Sequence, residues 1–366
     1  SPAPMEDLFL GPQRYVQKPG ALAEAAAAIR AFGRRPLVLA DETVEAIVAP
    51  VLAPACPAQG LAPVFLRFGV ECSPAEIERV AAAARAEGAD VIVGTGGGKA
   101  LDTARAAAGR LGLPLVALPT SAATCAATST LSVLYEGGIR TGLIDGKAAE
   151  LVLVDSAVVA AAPPRLIAAG IADTLAKWSE GKPTYERETD PAPALQAAMD
   201  LATRARAILL REGRRAFADV RRGALTAAVE HVIACNLLLA GLIGGVGGRT
   251  FRVALAHGLL YGMTVMPEIR RHLHGEVVGW GLLVQACLEG DREEFGRLRD
   301  LFAGLGLPTT MAALGIRDTE DPRFREGLRR TCEPGGAAHN LMVPVDEPRL
   351  LAAILEAEAR GREGAP

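Results

Sequence analysis

The sequence predicts an α/β N-terminal domain with a doubly wound, mostly parallel sheet, followed by an all-α C-terminal domain. Short apolar strands alternate with helices through the first part of the chain, which is typical of parallel sheets built from βα units. After Pro163 and Pro164, the apolar residues recur almost entirely at helical spacing. Aromatic residues make up only 4% of the 366 residues, and this favours helices packed closely on a sheet over an all-β fold.

The predicted elements follow one another through short connections. Strands are expected over residues 36–40, 64–68, 91–93, 115–118 and 151–154. Helices are expected over residues 22–31, 74–87, 98–110, 167–181, 191–212 and 276–289. The proline pair makes residue 162 the simplest boundary, which gives domains 1–162 and 163–366.

Charge and composition argue against several classes of protein. The formal charge of −3 and the pI near 6.0 provide no basic surface for nucleic acid or an acidic membrane. The six cysteines include no C-x-x-C pair, and we find no secretory signal pattern, so a cytoplasmic setting is expected. The most apolar window, residues 224–248, contains Glu230, His231 and Asn236, which predicts a buried helix and loop and no membrane span.

The most informative motif is a glycine-rich turn between a predicted strand and a helix. Residues Gly96, Gly97 and Gly98 let backbone N–H groups approach a phosphate at the helix N-terminus, and Lys99 adds positive charge. The pattern is neither a P-loop nor a clean G-x-G-x-x-G, so no familiar function transfers directly. We predict a nucleotide or sugar-phosphate site, with a turn that only packs helix on strand as the alternative.

Asp41 ends the strand over residues 36–40. A carboxylate there can accept hydrogen bonds from both ribose hydroxyls of an adenosine, which favours NAD over NADP. A helix N-cap is an equally open interpretation. NADP is not excluded, because Arg34, Arg35 or Arg67 could offset the charge of a 2′-phosphate.

The helical half contains candidate metal ligands. Asp173 lies in the middle of an apolar helix, and a buried aspartate needs a partner. Of the five histidines, His257, His272 and His274 lie in one segment, and imidazoles from it could join Asp173 around Zn²⁺ or Fe²⁺ and leave positions open for substrate. From spacing alone, a hydrogen-bonded core histidine is the commoner case.

Lys177 lies one helical turn after Asp173, on the same face. Together with Arg249 and Arg252 it would suit a carboxylate-bearing substrate. The alternative is an i,i+4 salt bridge between Lys177 and Asp173.

Taken together, these segments resemble the glycerol-dehydrogenase branch of the iron-containing (group III) alcohol dehydrogenases over nearly the whole chain. The resemblance implies a dehydroquinate synthase-like architecture, a homo-oligomer, NAD as cofactor and one divalent metal, with Zn²⁺ favoured over Fe²⁺. It implies that Asp173, His257 and His274 ligate the metal. The implied cofactor contacts are Asp41, Gly96, Gly97, Gly98, Lys99, Asp102, Thr120, Ser129, Leu131 and Tyr135.

Two residues depart from the pattern of that branch. Cys125 stands where glycerol dehydrogenases carry an aspartate that hydrogen-bonds the polyol, and losing that acceptor costs roughly 1–3 kcal/mol. Leu260 replaces a histidine found in many relatives. The segment around Cys125 looks closest to the hydroxycarboxylate dehydrogenase A-like subgroup, which reduces 2-oxo acids. Cys125 could also be a metal ligand or a nucleophile, but a single cysteine on an apolar, alanine-rich loop is more often small filler.

The resemblance therefore implies a metal-dependent NAD(P)(H) oxidoreductase, with Asp173, His257, His274, Lys177 and Cys125 in the catalytic centre. The expected substrate is a small anionic molecule, a 2-hydroxy acid/2-oxo acid pair. The alternatives are a glycerol or polyol dehydrogenase, a sugar-phosphate cyclase similar to dehydroquinate synthase, and a relative that has lost catalysis.

Overall fold

A computed structural model describes residues 8–362, apart from the side chains of Arg249 and Thr250. It contains a six-stranded sheet of order β1-β8-β5-β4-β2-β3, and every strand pair in this sheet is parallel. A two-stranded antiparallel hairpin, β6–β7, stands apart from it. The strands are β1 Arg14–Lys18, β2 Pro36–Ala40, β3 Val64–Arg67, β4 Val91–Gly96, β5 Leu115–Pro119, β6 Ser132–Glu136, β7 Ile139–Ile144 and β8 Leu151–Asp155.

Helices cover both faces of the sheet and form the rest of the chain. They are α1 Ala25–Ile29, α2 Glu42–Ala55, α3 Pro74–Ala86, α4 Gly98–Leu111, α5 Ser156–Ala161, α6 Pro164–Arg187, α7 Pro193–Arg221, α8 Ala227–Ala234, α9 Ala240–Phe251, α10 Leu255–Met263, α11 His274–Glu289, α12 Arg292–Gly304, α13 Pro322–Thr331 and α14 Glu347–Gly361. The predicted parallel α/β half and helical half are confirmed. The proposed boundary near residue 162 falls between α5 and α6.

The central strands are apolar on both faces because both faces are buried. In β2, Leu37 and Leu39 pack into one hydrophobic cluster, while Val38 and Ala40 pack into another on the opposite side. This continuous apolar pattern made the central strands recognisable in the sequence. The edge strand β1 and the hairpin carry more polar residues, and the sequence analysis missed them.

The strand order places a crevice between the carboxyl ends of β2 and β4. From β2 the chain moves to β3 on one side, and from β4 it moves through β5 toward β8 on the other. Ligands of doubly wound sheets bind at such a switch point. Asp41 follows β2 and Gly97 follows β4, so both lie at this crevice.

One helical stretch in the described part of the chain is long and apolar enough to span a membrane. It covers Ala227–Gly248 with a hydropathy of 1.8, and 61% of its apolar window is buried inside the protein. Core helices have the same composition, so this feature is weak evidence for a membrane span. The burial agrees with the expected buried helix.

Candidate active site

A cleft of about 590 Å³ lies between the carboxyl edge of the sheet and the helical half. Both halves contribute to its walls, and ligand pockets commonly lie at such interfaces between domains. The predicted site residues that line it are Asp41, Gly97, Gly98, Lys99, Asp102, Cys125, Ser129, Leu131, Tyr135, Asp173, Lys177, Arg252, His257 and His274. Gly96 and Thr120 are not among the lining residues; the Thr120 N–H donates to the Gly96 carbonyl at 3.3 Å and shapes the turn from behind.

The first turn of α4 presents free backbone to the cleft. Gly97 is its N-cap, and no side chain caps the helix there. Gly96 has φ of +118°, a conformation that side chains rarely adopt, and a Cβ at Gly97 would meet nothing within 4 Å. The Lys99 ammonium lies 5.1 Å from the centre of the Tyr135 ring. An uncapped helix N-terminus with a lysine beside it fits the pyrophosphate of a dinucleotide.

Asp41 serves the helix cap and faces the cleft at the same time. Its Oδ1 accepts from the Val44 N–H at 2.8 Å, which confirms the N-cap interpretation. Of the arginines considered for NADP, Arg34 and Arg35 precede β2 and so lie at the opposite edge of the sheet from Asp41. Those two residues are therefore in the wrong place to offset a 2′-phosphate.

Arg67 is near Asp41 but already faces two carboxylates. β3 pairs with β2 so that Arg67 lies beside Ala40. The Arg67 guanidinium lies 3.5 Å from Glu42 and 3.3 Å from Glu45. This leaves the Asp41 end of the cleft without a spare positive charge among the three arginines considered.

Asp102 holds the loop that carries the other predicted cofactor residues. Its carboxylate accepts from Arg105 at 2.8 Å and from the Val133 N–H at 3.0 Å. Arg105 donates in turn to the carbonyl of Leu131 at 2.8 Å. Burial raises the pKa of Asp102, although Arg105 opposes the shift. Both carboxylate oxygens are engaged within the chain, so the geometry favours an organising role for Asp102.

Three predicted metal ligands meet on the opposite wall. The Nε2 atoms of His257 and His274 each lie 3.2 Å from Asp173 Oδ1 and 3.2 Å from each other. Asp173 Oδ1 is buried and accepts no hydrogen bond within the described residues. Tetrahedral coordination with bonds of about 2.0–2.1 Å places ligand atoms roughly 3.3–3.4 Å apart, so this triangle fits a divalent metal.

The charges of these groups are strongly coupled. Burial would lower the pKa of His257, but Glu180 and Asp173 raise it to about 9. Burial would raise the pKa of Asp173, but His274 and His257 hold it well below its usual range. A positive ion at the centre would replace the protons that this arrangement attracts.

Each ligand comes from a different helix. Asp173 lies on α6, His257 on α10, and His274 begins α11. Glu180, also on α6, accepts from His257 Nδ1 and is fully buried. Sequence reasoning missed Glu180, although its position seven residues after Asp173, on the same helix face, was a signal.

The N-terminus of α11, where His274 lies, has its own support. Glu276 accepts from the Leu273 N–H at 2.9 Å and from Arg165 at 2.7 Å. The sequence analysis did not single out this pair. It ties the start of α11 to the start of α6.

Lys177 lies beside the ligands without the predicted alternative salt bridge. Its side chain is 8% exposed, and in the described part of the chain it forms no ion pair with Asp173. Cys125 also lines the cleft, and burial raises the pKa of its thiol, although Lys177 opposes the shift. The thiol is therefore neutral at ordinary pH, which argues against a nucleophilic Cys125.

Arg252 and Leu260 have different surroundings in the structure. Arg252 is buried, donates to the Gly244 carbonyl at 2.5 Å and lies 3.5 Å from Asp145, so its charge is partly balanced. The side chain of Arg249 lies outside the described residues. Leu260 is 6% exposed and packs in the core. The Tyr261 ring beside it lines the cleft, with its centre 6.0 Å from that of His257.

Comparisons with known proteins identify the family. Residues 12–156 match the family model described as iron-containing alcohol dehydrogenase. A glycerol dehydrogenase of Pseudomonas putida is 35% identical, with 98% of this chain and 99% of the relative covered. Hydroxycarboxylate dehydrogenase A of Escherichia coli K12 is 32% identical, with 96% and 97% covered.

A solved structure gives the same result. The crystal structure of a probable glycerol dehydrogenase from Sinorhizobium meliloti 1021 superposes with a TM-score of 0.89 at 36% identity, covering 98% of this chain and 99% of that one. The two chains share one fold along their whole length. The chain is thus a metal-dependent oxidoreductase, and it belongs to the iron-containing alcohol dehydrogenase family.

Proposed function

We propose that the protein interconverts a small polyol and its carbonyl with NAD, with glycerol-type vicinal diols as the first substrate class. The observation that carries this is the placement of the ligand triangle opposite the uncapped turn of α4, within one cleft. The similarity to glycerol dehydrogenases over the whole chain supports the substrate class better than it supports 2-hydroxy acids. The relatives compared above include no sugar-phosphate cyclase.

The residues of the cleft have separate roles in the proposed reaction. When bound, a divalent metal polarises the substrate C–O bond, and NAD accepts or donates the hydride. Asp173, His257 and His274 would hold the metal. The Lys177 ammonium stabilises negative charge on a substrate oxygen near Asp173.

NAD is proposed over NADP because of the charges around Asp41. The Asp41 carboxylate is at the ribose end of the crevice, and Arg67 is already shared between Glu42 and Glu45. A 2′-phosphate there would meet three carboxylates and no spare cation among the arginines considered. The expected preference is tested by comparing NADH and NADPH in the same assay.

One observation favours a second substrate class, the 2-oxo acids. Lys177 is a buried ammonium without an ion pair to Asp173, and the residue across from it, Cys125, is uncharged. A substrate carboxylate would supply the missing negative charge. This class also agrees with the similarity to hydroxycarboxylate dehydrogenase A.

Matched variants separate the two classes. The purified protein is loaded with Zn²⁺ or Fe²⁺ and assayed for NAD reduction with glycerol and for NADH oxidation with dihydroxyacetone and 2-oxo acids. For a polyol enzyme, Cys125→Asp adds an acceptor and should raise kcat/KM for glycerol by about 5- to 150-fold, the value of one buried hydrogen bond. For a 2-oxo acid enzyme, Lys177→Met should abolish that activity while Cys125→Asp lowers it.

The outcomes distinguish the proposals clearly. Greater activity with glycerol or dihydroxyacetone than with every acid supports the first proposal. Preference for a 2-oxo acid, lost in Lys177→Met, replaces it with the second. Absence of NADH and NADPH binding to the metal-loaded protein would contradict both.

A further inference from the structure

Glu180 is the least solvent-exposed charged group beside the ligand triangle. It lies on α6 two turns after Asp173, and its exposed fraction is 0%. In the described part of the chain no lysine or arginine forms an ion pair with it. A buried carboxylate without a lysine or arginine partner is costly, so its contacts with His257 and the backbone must compensate for the loss of water.

In the described part of the chain, the side-chain hydrogen bonds of Glu180 all go to the segment that carries His257. Oε1 accepts from the Ala254 N–H at 2.7 Å and from the His257 N–H at 2.9 Å. Oε2 accepts from Nδ1 of the His257 ring. One carboxylate thus fixes both the backbone and the side chain of the same residue.

We propose that Glu180 is a positioning residue that sets the tautomer and the orientation of His257. In the neutral ring that a metal would bind, the single proton lies on Nδ1 and is donated to Glu180, which leaves a lone pair on Nε2, the atom that lies 3.2 Å from Asp173 Oδ1. Because the N–H groups of Ala254 and His257 donate to the same carboxylate, the first turn of α10 is fixed relative to α6. Carboxylate–histidine pairs of this kind orient metal ligands and raise their basicity.

His274 provides a useful contrast within the same site. Its side chain is 26% exposed, compared with 5% for His257, and it begins α11. The nearest carboxylate on its own helix, Glu276, contacts Leu273 and Arg165. Glu180 therefore acts on one ligand directly, whereas His274 depends on the position of its helix.

The inference rests on the proposed function only in requiring that the triangle hold a metal. The inference is tested by comparing the Zn²⁺ affinities of two variants, Glu180→Gln and Glu180→Ala. In Glu180→Gln an amide N–H₂ can face Nδ1, which makes Nδ1 an acceptor and moves the ring proton to Nε2. In Glu180→Ala the ring is released but is not forced into the wrong tautomer.

We expect Glu180→Gln to bind Zn²⁺ roughly 10- to 100-fold more weakly than the unmodified chain, as measured by chelator competition. Glu180→Ala should bind Zn²⁺ more tightly than Glu180→Gln, although it leaves a cavity and is less stable to heat. A purely structural role predicts the reverse order, because Gln fills the space and retains acceptors. The Co²⁺-loaded proteins give a second readout, with an altered d–d absorption spectrum in Glu180→Gln.

Glu358→Gln is the matched control. Glu358 is also a buried glutamate, and it accepts from the Met311 N–H at 2.6 Å, outside the residues that line the cleft. This variant should lose stability without any change in Zn²⁺ affinity or in the Co²⁺ spectrum.

A direct measurement does not depend on the folding of any variant. In the Zn²⁺-loaded unmodified protein, ¹⁵N spectra of labelled histidine should show His257 with a proton on Nδ1 and the metal on Nε2. The opposite assignment, or equal Zn²⁺ affinity in Glu180→Gln, would overturn this inference alone. If the unmodified protein binds no metal, the proposed function fails instead.

Discussion

The two walls of the cleft recognise their ligands in different ways. The α/β wall offers backbone: Gly96 and Gly97 form a turn without side chains at the start of α4. The helical wall offers side chains, with Asp173, His257 and His274 brought together from three helices. The glycine turn is formed by a few consecutive residues. The set of three side chains depends on how α6, α10 and α11 pack against one another. We therefore expect the two walls to respond differently to substitution.

The helical wall should show the largest effect of a single substitution. Asp173→Ala removes the carboxylate at one corner of the triangle and leaves the two imidazoles without the oxygen that both approach. We expect metal affinity to fall by more than the roughly 100-fold that loss of an outer partner costs, and turnover to fall with it. Metal content after dialysis and NADH oxidation with added Zn²⁺ measure both effects.

Chelation provides the control for this variant. Removing the metal from the unmodified protein should abolish turnover, and adding Zn²⁺ back should restore it, whereas Asp173→Ala should not recover. NADH binding should survive in both, because the α4 turn is on the other wall. Metal-dependent turnover in Asp173→Ala would show that the triangle is not the metal site.

On the backbone wall, two neighbouring glycines allow a sharper comparison. Gly96→Ala forces alanine to φ of +118°, 3.2 Å from Val44 Cγ2, and strain of this kind costs about 1–3 kcal/mol. We expect lower thermal stability and roughly 5- to 150-fold weaker NADH binding, with Zn²⁺ affinity unchanged. NADH fluorescence titration and thermal unfolding measure these quantities.

Gly97→Ala is the partner experiment. Its φ is −88° and its Cβ would meet nothing within 4 Å, so the free protein should keep its stability. The added methyl group would project where backbone N–H groups approach a phosphate, so NADH binding should still weaken. Unchanged NADH affinity in Gly97→Ala would place the dinucleotide elsewhere in the cleft.

The same contrast explains what could be predicted from the sequence. The central strands and the glycine turn were predictable because strand burial and turn geometry leave local patterns. Asp173 was found because a carboxylate in an apolar helix is conspicuous. The two histidines were ambiguous by spacing alone, since their convergence depends on packing between helices that are distant in sequence. Glu180 and the Arg165–Glu276 pair were missed for the same reason.

Asp41 combines both kinds of information. Its role as the N-cap of α2 is a local pattern, and the structure confirms it. The position of Arg34 and Arg35 at the opposite edge of the sheet follows only from the direction of β2. Hydrophobic periodicity identified the strands but not which charged neighbours share an edge. Side-chain partners from distant segments are therefore the part of the site that sequence patterns leave open.

The smallest expected effect concerns the support of His274. Burial raises the pKa of Glu276, but hydrogen bonds from Arg165 and from the Leu273 N–H outweigh it and hold the pKa below the ordinary glutamate value. A carboxylate with a lowered pKa in the folded state stabilises the fold above its unfolded pKa and loses that contribution as the pH falls through the folded value. Arg165→Met should raise the pKa of Glu276 and move acid unfolding to higher pH.

At neutral pH the cost of Arg165→Met should be about 1 kcal/mol, because the Arg165 side chain is half exposed and its charge is screened. Urea unfolding at pH 7 measures the loss of stability at neutral pH, and urea unfolding at pH 4 measures the loss in acid. Arg349→Met is the control, because it removes the exposed ion pair between Arg349 and Asp346. The start of α11 should loosen in Arg165→Met, so Zn²⁺ affinity should fall slightly while NADH affinity stays constant. Equal acid stability in Arg165→Met and Arg349→Met would mean that Glu276 is held by the Leu273 N–H alone and that α11 needs no tie to α6 to place His274.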